Sequence, residues 1–69
     1  MKSSLNYIGC NLRKLRKKMD LSIFTVANDL QMSAHYLGTI ERAKANPSIK
    51  MLDRLADYYH VSAKSLFEG

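Results

Sequence analysis

The side chains best equipped for chemistry are few and scattered. Cys10, His35 and His60 stand far apart, with no zinc-ligand spacing among them. No Ser/His/Asp or Cys/His set, no paired carboxylates and no glycine-rich phosphate loop can be assembled, so no catalytic residue, metal or cofactor is assigned and an enzyme is not expected. What the chain has instead is positive charge. Eleven lysines and arginines face six acids, for a net charge of +5, and the isoelectric point is ≈ 9.6. Such a balance favours polyanions, either nucleic acid or an acidic membrane surface. The excess is uneven: residues 1–19 hold six basic residues and no acid, namely Lys2, Arg13, Lys14, Arg16, Lys17 and Lys18. Cys10, the one cysteine, excludes an internal disulfide framework and suits a reducing cytoplasm.

The elements that would carry these groups are helices. Residues 1–4 are polar and expected to fray. From about Leu5 to Met19 the apolar residues Ile8, Leu12, Leu15 and Met19 fall at steps of four, three and four, one stripe of an amphipathic helix. Asp20 stands where the chain must turn, and aspartate tolerates the left-handed conformation better than most residues. Ser22 can cap a second helix with Val26, Ala27 and Leu30 inward, and Ser33 a third with Leu37 and Ile40 inward. Gly38 lies inside that third helix at a cost of roughly 1 kcal/mol relative to alanine; either a close backbone or simple drift accounts for it. Ser48, after Pro47, can cap a fourth helix with Leu52, Leu55, Ala56 and Tyr59 inward. His60-Val61-Ser62 breaks it, and Ala63 to Phe67 allows a last turn or two. No strand pattern survives. The expectation is a single all-α domain over residues 1–69, compact, with five short helices and a helix-turn-helix at about 22–42. No apolar run approaches the ~20 residues of a membrane-spanning helix, and no signal-peptide core is present.

These residues resemble a known family. The run from Ile8 to Phe67 looks like the Cro/phage-repressor (XRE) type of helix-turn-helix, the lambda-repressor-like fold. The matching pieces are Asn11-Leu12-Arg13-Lys14-Leu15-Arg16, Leu21-Ser22, Val26-Ala27, Met32-Ser33, Ile40-Glu41-Arg42, Asn46-Pro47-Ser48, Leu55-Ala56 and Val61-Ser62. No single piece is specific; all of them in order are. The resemblance implies a usually dimeric protein of bacteria, phages or mobile elements that binds operator sequences in double-stranded DNA. It implies a largely buried ion pair between Arg16 and Glu41; the alternative for Arg16 is that it extends the basic face. It also places Ala34, His35 and Thr39 at base edges and Tyr36 and Gly38 at the groove wall. Arg13, Lys17, Ser22, Ser33, Arg42, Lys44 and Asn46 would contact phosphates. None of the usual bidentate readers, arginine, asparagine or glutamine, occupies that reading face, so DNA shape is expected to supply part of the specificity. For His35 and for each cationic residue taken singly, a solvated surface position is the competing account.

The chain also departs from the family pattern. Ile23 stands where glutamine is usual, followed by Phe24. Phe24 either folds back onto the core, stands as an isolated exposed apolar residue, or joins Ile23 in a protein contact patch. Tyr58 and Phe67 are equally open between core and self-association. Ala43 replaces the usual glycine after Glu41-Arg42, so that turn is expected to differ slightly, and Gln31 stands in a turn where glycine is frequent. Two functions follow. The first is a sequence-specific regulator with duplex DNA as its partner, acting by operator occupancy as a homodimer; 69 residues leave no room for a small-molecule pocket. The second is a protein-interaction module on the same fold, an antirepressor or toxin-neutralising partner. A membrane-surface role is distant, because the apolar stripe of helix one has a domain to bury it.

Overall fold

Serines set where the helices begin. In the computed structural model, which describes residues 3–69, the elements are α1 (Ser4–Lys18), α2 (Ile23–Asp29), α3 (Ala34–Glu41), α4 (Ile49–Tyr59) and a closing 3-10 helix (Ala63–Phe67). Ser3, Ser22, Ser33, Ser48 and Ser62 precede them, each in extended conformation. Each hydroxyl accepts the backbone N–H three residues on, satisfying one donor that the first turn leaves free. The described elements are thus all helical, with the fifth a 3-10 rather than an α-helix. Residues 1 and 2, including Lys2, lie outside the described residues. Ser3 and Ser4, expected to fray, instead cap and open α1.

The helix ends share a second device. Asp20, Gln31, Ala43 and His60 all have left-handed φ, between 57° and 61°. At each, two backbone N–H groups fold back onto the last turn. Ala43 N–H donates to the Ile40 carbonyl at 3.1 Å and Lys44 N–H to that of Thr39 at 2.8 Å; the other three turns repeat the pattern. These are Schellman closures, made here without the glycine that removes the Cβ penalty. Asp20 behaves as its type suggests. Ala43 corrects an expectation: its turn closes normally, with alanine held in the left-handed region.

The core collects Ile8 and Leu12 from α1, Val26, Ala27 and Leu30 from α2 and its cap, and Leu37 and Ile40 from α3. Leu52, Leu55, Ala56 and Tyr59 of α4 and Leu66 of the 3-10 helix complete it. Leu15 packs at its edge, but Met19 does not continue the stripe: it lies past the end of α1 and is 47% exposed. Polar side chains tie the layers. The Asn11 amide donates to the carbonyls of Leu66 (2.9 Å) and Glu68 (2.7 Å), holding the C-terminal segment on α1. Arg54 donates to the Leu30 carbonyl, and the Tyr58 hydroxyl to Asp29 at 2.6 Å, so α4 braces the end of α2.

Candidate nucleic-acid interface

The second helix of the helix-turn-helix is held from behind. Arg16 of α1 meets Glu41, the last residue of α3, through two hydrogen bonds: Nε to Oε2 at 2.8 Å and Nη2 to Oε1 at 2.9 Å. A further guanidinium N–H reaches the Leu21 carbonyl at 3.0 Å. The side chains are 13% and 5% exposed, so the fork-shaped pair is nearly dry and its geometry is fixed. The hydrogen bond to Glu41 holds the Arg16 guanidinium charged more firmly than usual. The pair expected from the sequence is therefore present. Gly9 lets it form: a Cβ there would lie 2.6 Å from the Glu41 carbonyl oxygen and 2.7 Å from that of Ile40. The backbones of α1 and α3 can approach this closely only at glycine. Tyr59 packs behind the pair, its hydroxyl without a partner among the described residues; burial, with the Glu41 charge adding, pushes its pKa up to about 12.

The residues expected at the groove are not uniformly outward: Ala34 and Tyr36 also pack against the edge of the core. His35 is exposed, while Ala34, Tyr36 and Thr39 are half-buried. Thr39 donates its hydroxyl to the Tyr36 carbonyl at 2.6 Å, which leaves its oxygen free to accept rather than donate. Gly38 needs correcting. It is buried, not on an outward wall, because Arg42 and Ile23 cover it. Nor does it admit a neighbouring backbone: the atoms near it belong to side chains; the glycine with that role is Gly9.

The residues expected at phosphates are accessible. Arg13 and Lys17 on α1, Ser22 and Ser33 at the starts of α2 and α3, and Arg42, Lys44 and Asn46 after α3 are all exposed. Neither α2 nor α3 has an acidic residue in its first turn, so the positive ends of both helices stay uncompensated, which favours an anion. Arg13, Arg16, Ile23, Gly38, Glu41 and Arg42 line one cleft between α1, α2 and α3.

The apolar departures divide. Ile23 packs at the edge of the core, whereas Phe24 does not fold back and is 72% exposed. Tyr58 is half-buried and engaged with Asp29; Phe67 is exposed at the far end of the chain. Sequence patterning did not single out Gly9 or Ile49, and Asn11 stood out only as part of a motif. Ile49, 78% exposed in the first turn of α4, carried one signal, an apolar residue directly after the capping serine. Among the described residues no group of three or more potential metal ligands occurs, and no helix is long and apolar enough to cross a membrane.

Comparison with known proteins agrees with this geometry. A family model described as a helix-turn-helix domain matches residues 8–66. The HTH-type transcriptional regulator DdrOP3 of Deinococcus deserti is 38% identical over 58 residues, covering 84% of this chain but only 45% of that protein. The chain therefore spans less than half the length of this curated relative. The crystal structure of the restriction-modification controller protein C.AhdI from Aeromonas hydrophila superposes with a TM-score of 0.82 at 31% identity, covering 90% of this chain and 94% of that one. Family match, relative and structure converge with the locked second helix: the chain belongs to the helix-turn-helix domain family, of the Cro/repressor (XRE) type.

Proposed function

We propose that this chain is a transcriptional regulator that binds operator sequences in duplex DNA, acts by occupancy, and works in the cytoplasm as a homodimer. The observation that carries this is α3. It is locked to α1 by the Arg16–Glu41 pair and presents His35 outward, with the exposed Arg13 and Arg42 lining a cleft against it. In this reading Ala34, His35 and Thr39 meet base edges and Tyr36 lines the groove. Arg13, Lys17, Ser22, Ser33, Arg42, Lys44 and Asn46 grip phosphates. A dimer would set two such helices about 34 Å apart, on half-sites one turn of DNA apart; Tyr58 and Phe67 are candidates for its contact. The regulator and the controller protein that the chain resembles support the reading. The test is fluorescence anisotropy against the gene's own upstream DNA and a scrambled duplex, across a salt series. Preference for the upstream DNA with a steep loss of affinity on adding salt is expected. Equal, weak binding to both would overturn operator recognition at that site. Substituting His35 or Thr39 should then alter site preference, and unchanged preference in both variants would remove them from base reading.

One observation favours a second reading. Phe24 stands in the first turn of α2 with its ring in solvent, where a protein partner would bury it. Under that reading Phe24→Ala would abolish binding to a protein partner while leaving DNA affinity unchanged.

A further inference from the structure

The charges in the cleft between α1, α2 and α3 are unequally committed. Arg16 and Glu41 neutralise one another. That leaves Arg13 and Arg42, which line the same cleft and also the adjoining one over Asn6, Cys10 and Ala43. Both are exposed, and neither forms a salt bridge among the described residues. The cleft thus offers two unpaired guanidinium groups beside a carboxylate already masked by a third.

Gly38 leaves room for one of them. The Arg42 Nη1 atom is 2.8 Å, and its Cζ 3.6 Å, from the point a Cβ on Gly38 would occupy; the Ile23 Cδ1 is 3.5 Å from that point. Arg42 follows Gly38 by four residues, so its side chain folds back along α3 into the space where the glycine has no side chain. Mid-helix glycine weakens a helix relative to alanine. Here the gap it leaves is filled by a guanidinium resting beside Ile23. The planar fork of an arginine lying there matches two oxygens of one phosphate.

We propose that Gly38 is a positioning residue: it berths the Arg42 guanidinium beside Ile23, so that Arg42 and Arg13 hold one phosphate group between them in the cleft. The ligand is a phosphodiester of the duplex backbone. The inference rests on the DNA-binding reading above, and it explains a glycine that α3 would otherwise be better without.

The experiment is a double-mutant cycle of wild type, Gly38→Ala, Arg42→Ala and the double variant, binding a scrambled duplex in a salt series. Each phosphate lost lowers the salt slope by about 0.9, equivalent to about an eightfold weakening at 0.1 M salt. Arg42→Ala should show that loss. Gly38→Ala, with the charge kept but displaced, should show at least half that loss, a slope lower by about 0.45 and roughly a threefold weakening, while its thermal midpoint rises. The double variant should bind like Arg42→Ala alone. Unchanged binding by Gly38→Ala, or losses that simply add, would overturn the proposal. If wild type binds no duplex, the DNA-binding reading itself fails, and inorganic phosphate becomes the probe. An Arg42 Nε–Hε resonance that shifts with phosphate in wild type but not in Gly38→Ala would uphold the berth. No shift in wild type would overturn it.

Discussion

Replacing Ala43 by glycine is expected to stabilise the fold by about 0.5–1 kcal/mol. Ala43 has φ 61°, and a left-handed conformation costs an L-residue roughly 1–2 kcal/mol. Glycine removes that cost but returns about 0.5–1 kcal/mol through the greater freedom of the unfolded chain. The two hydrogen bonds closing the turn, at 3.1 and 2.8 Å, are between backbone groups and survive the change. Unfolding entropy near 2.1 cal/mol/K per residue means that 1 kcal/mol corresponds to roughly 7 °C in a domain of this size. Gln31 and His60 occupy equivalent turns, at φ 57° and 59°. Their substitution should add to that of Ala43, because these turns share no hydrogen bonds, giving about 1.5–3 kcal/mol for all three together. Urea denaturation followed by helical circular dichroism reads this as a higher midpoint at constant slope. Ala45, two residues on and without positive φ, is the control, and Ala45→Gly should lower the midpoint. The same response at positions 43 and 45 would refute left-handed strain as the cause.

Three further outcomes are expected. Glu41→Ala should cost about 3–5 kcal/mol, because it strands the Arg16 charge in a nearly dry site; a loss under 1 kcal/mol in urea denaturation would mean that solvent replaces the pair freely. Gly9→Ala should destabilise by about 1–2 kcal/mol, since overpacking against two carbonyl oxygens outweighs the gain in helix propensity; a raised thermal midpoint would show that α1 and α3 separate at little cost. Burial pushes the Tyr59 pKa from its usual 10.0 up to about 12, so the folded state favours its neutral form. Its contribution is intact below pH 10 and lost as pH climbs towards 12. Tyr59→Phe should therefore be no less stable at pH 8 and lose less stability by pH 11, and an equal alkaline loss in both proteins would assign the effect elsewhere.

Local interactions were legible in the sequence; approaches between distant segments were not. Ser22, Ser33 and Ser48 could be recognised as caps because the groups they satisfy lie three residues away. Ser62 looked like a breaker, yet it caps the 3-10 helix by the same chemistry. Asp20 could be placed in the left-handed region from its residue type, whereas the Ala43 turn shows backbone hydrogen bonding overriding a poor local choice. Met19 fitted the apolar stripe only for a helix one residue longer than α1. Gly9 and Gly38 both sit inside helices, and only the tertiary structure separates one that admits a backbone from one that shelters a side chain. Of the interface residues, Arg16 and Glu41 were legible through family resemblance. Asn11 was legible as part of a motif but not as the tether of the C-terminal segment. Gly38 was misplaced outward because helical periodicity does not reveal that an arginine four residues later folds over it.

The division of α3 into two sets of residues bears on how such a chain can diverge. Leu37, Ile40 and Glu41 belong to the core and its ion pair, while His35 faces solvent. Substitutions at positions of the second kind ordinarily change stability by no more than about 0.5 kcal/mol. After a gene duplication, position 35 can therefore be rewritten in one copy while the scaffold stays above its folding threshold. Changes at 37, 40 or 41 would be purged before any new binding preference could be tried. Drift is thereby confined to a few codons, and new partners can be sampled one substitution at a time without an unfolded intermediate.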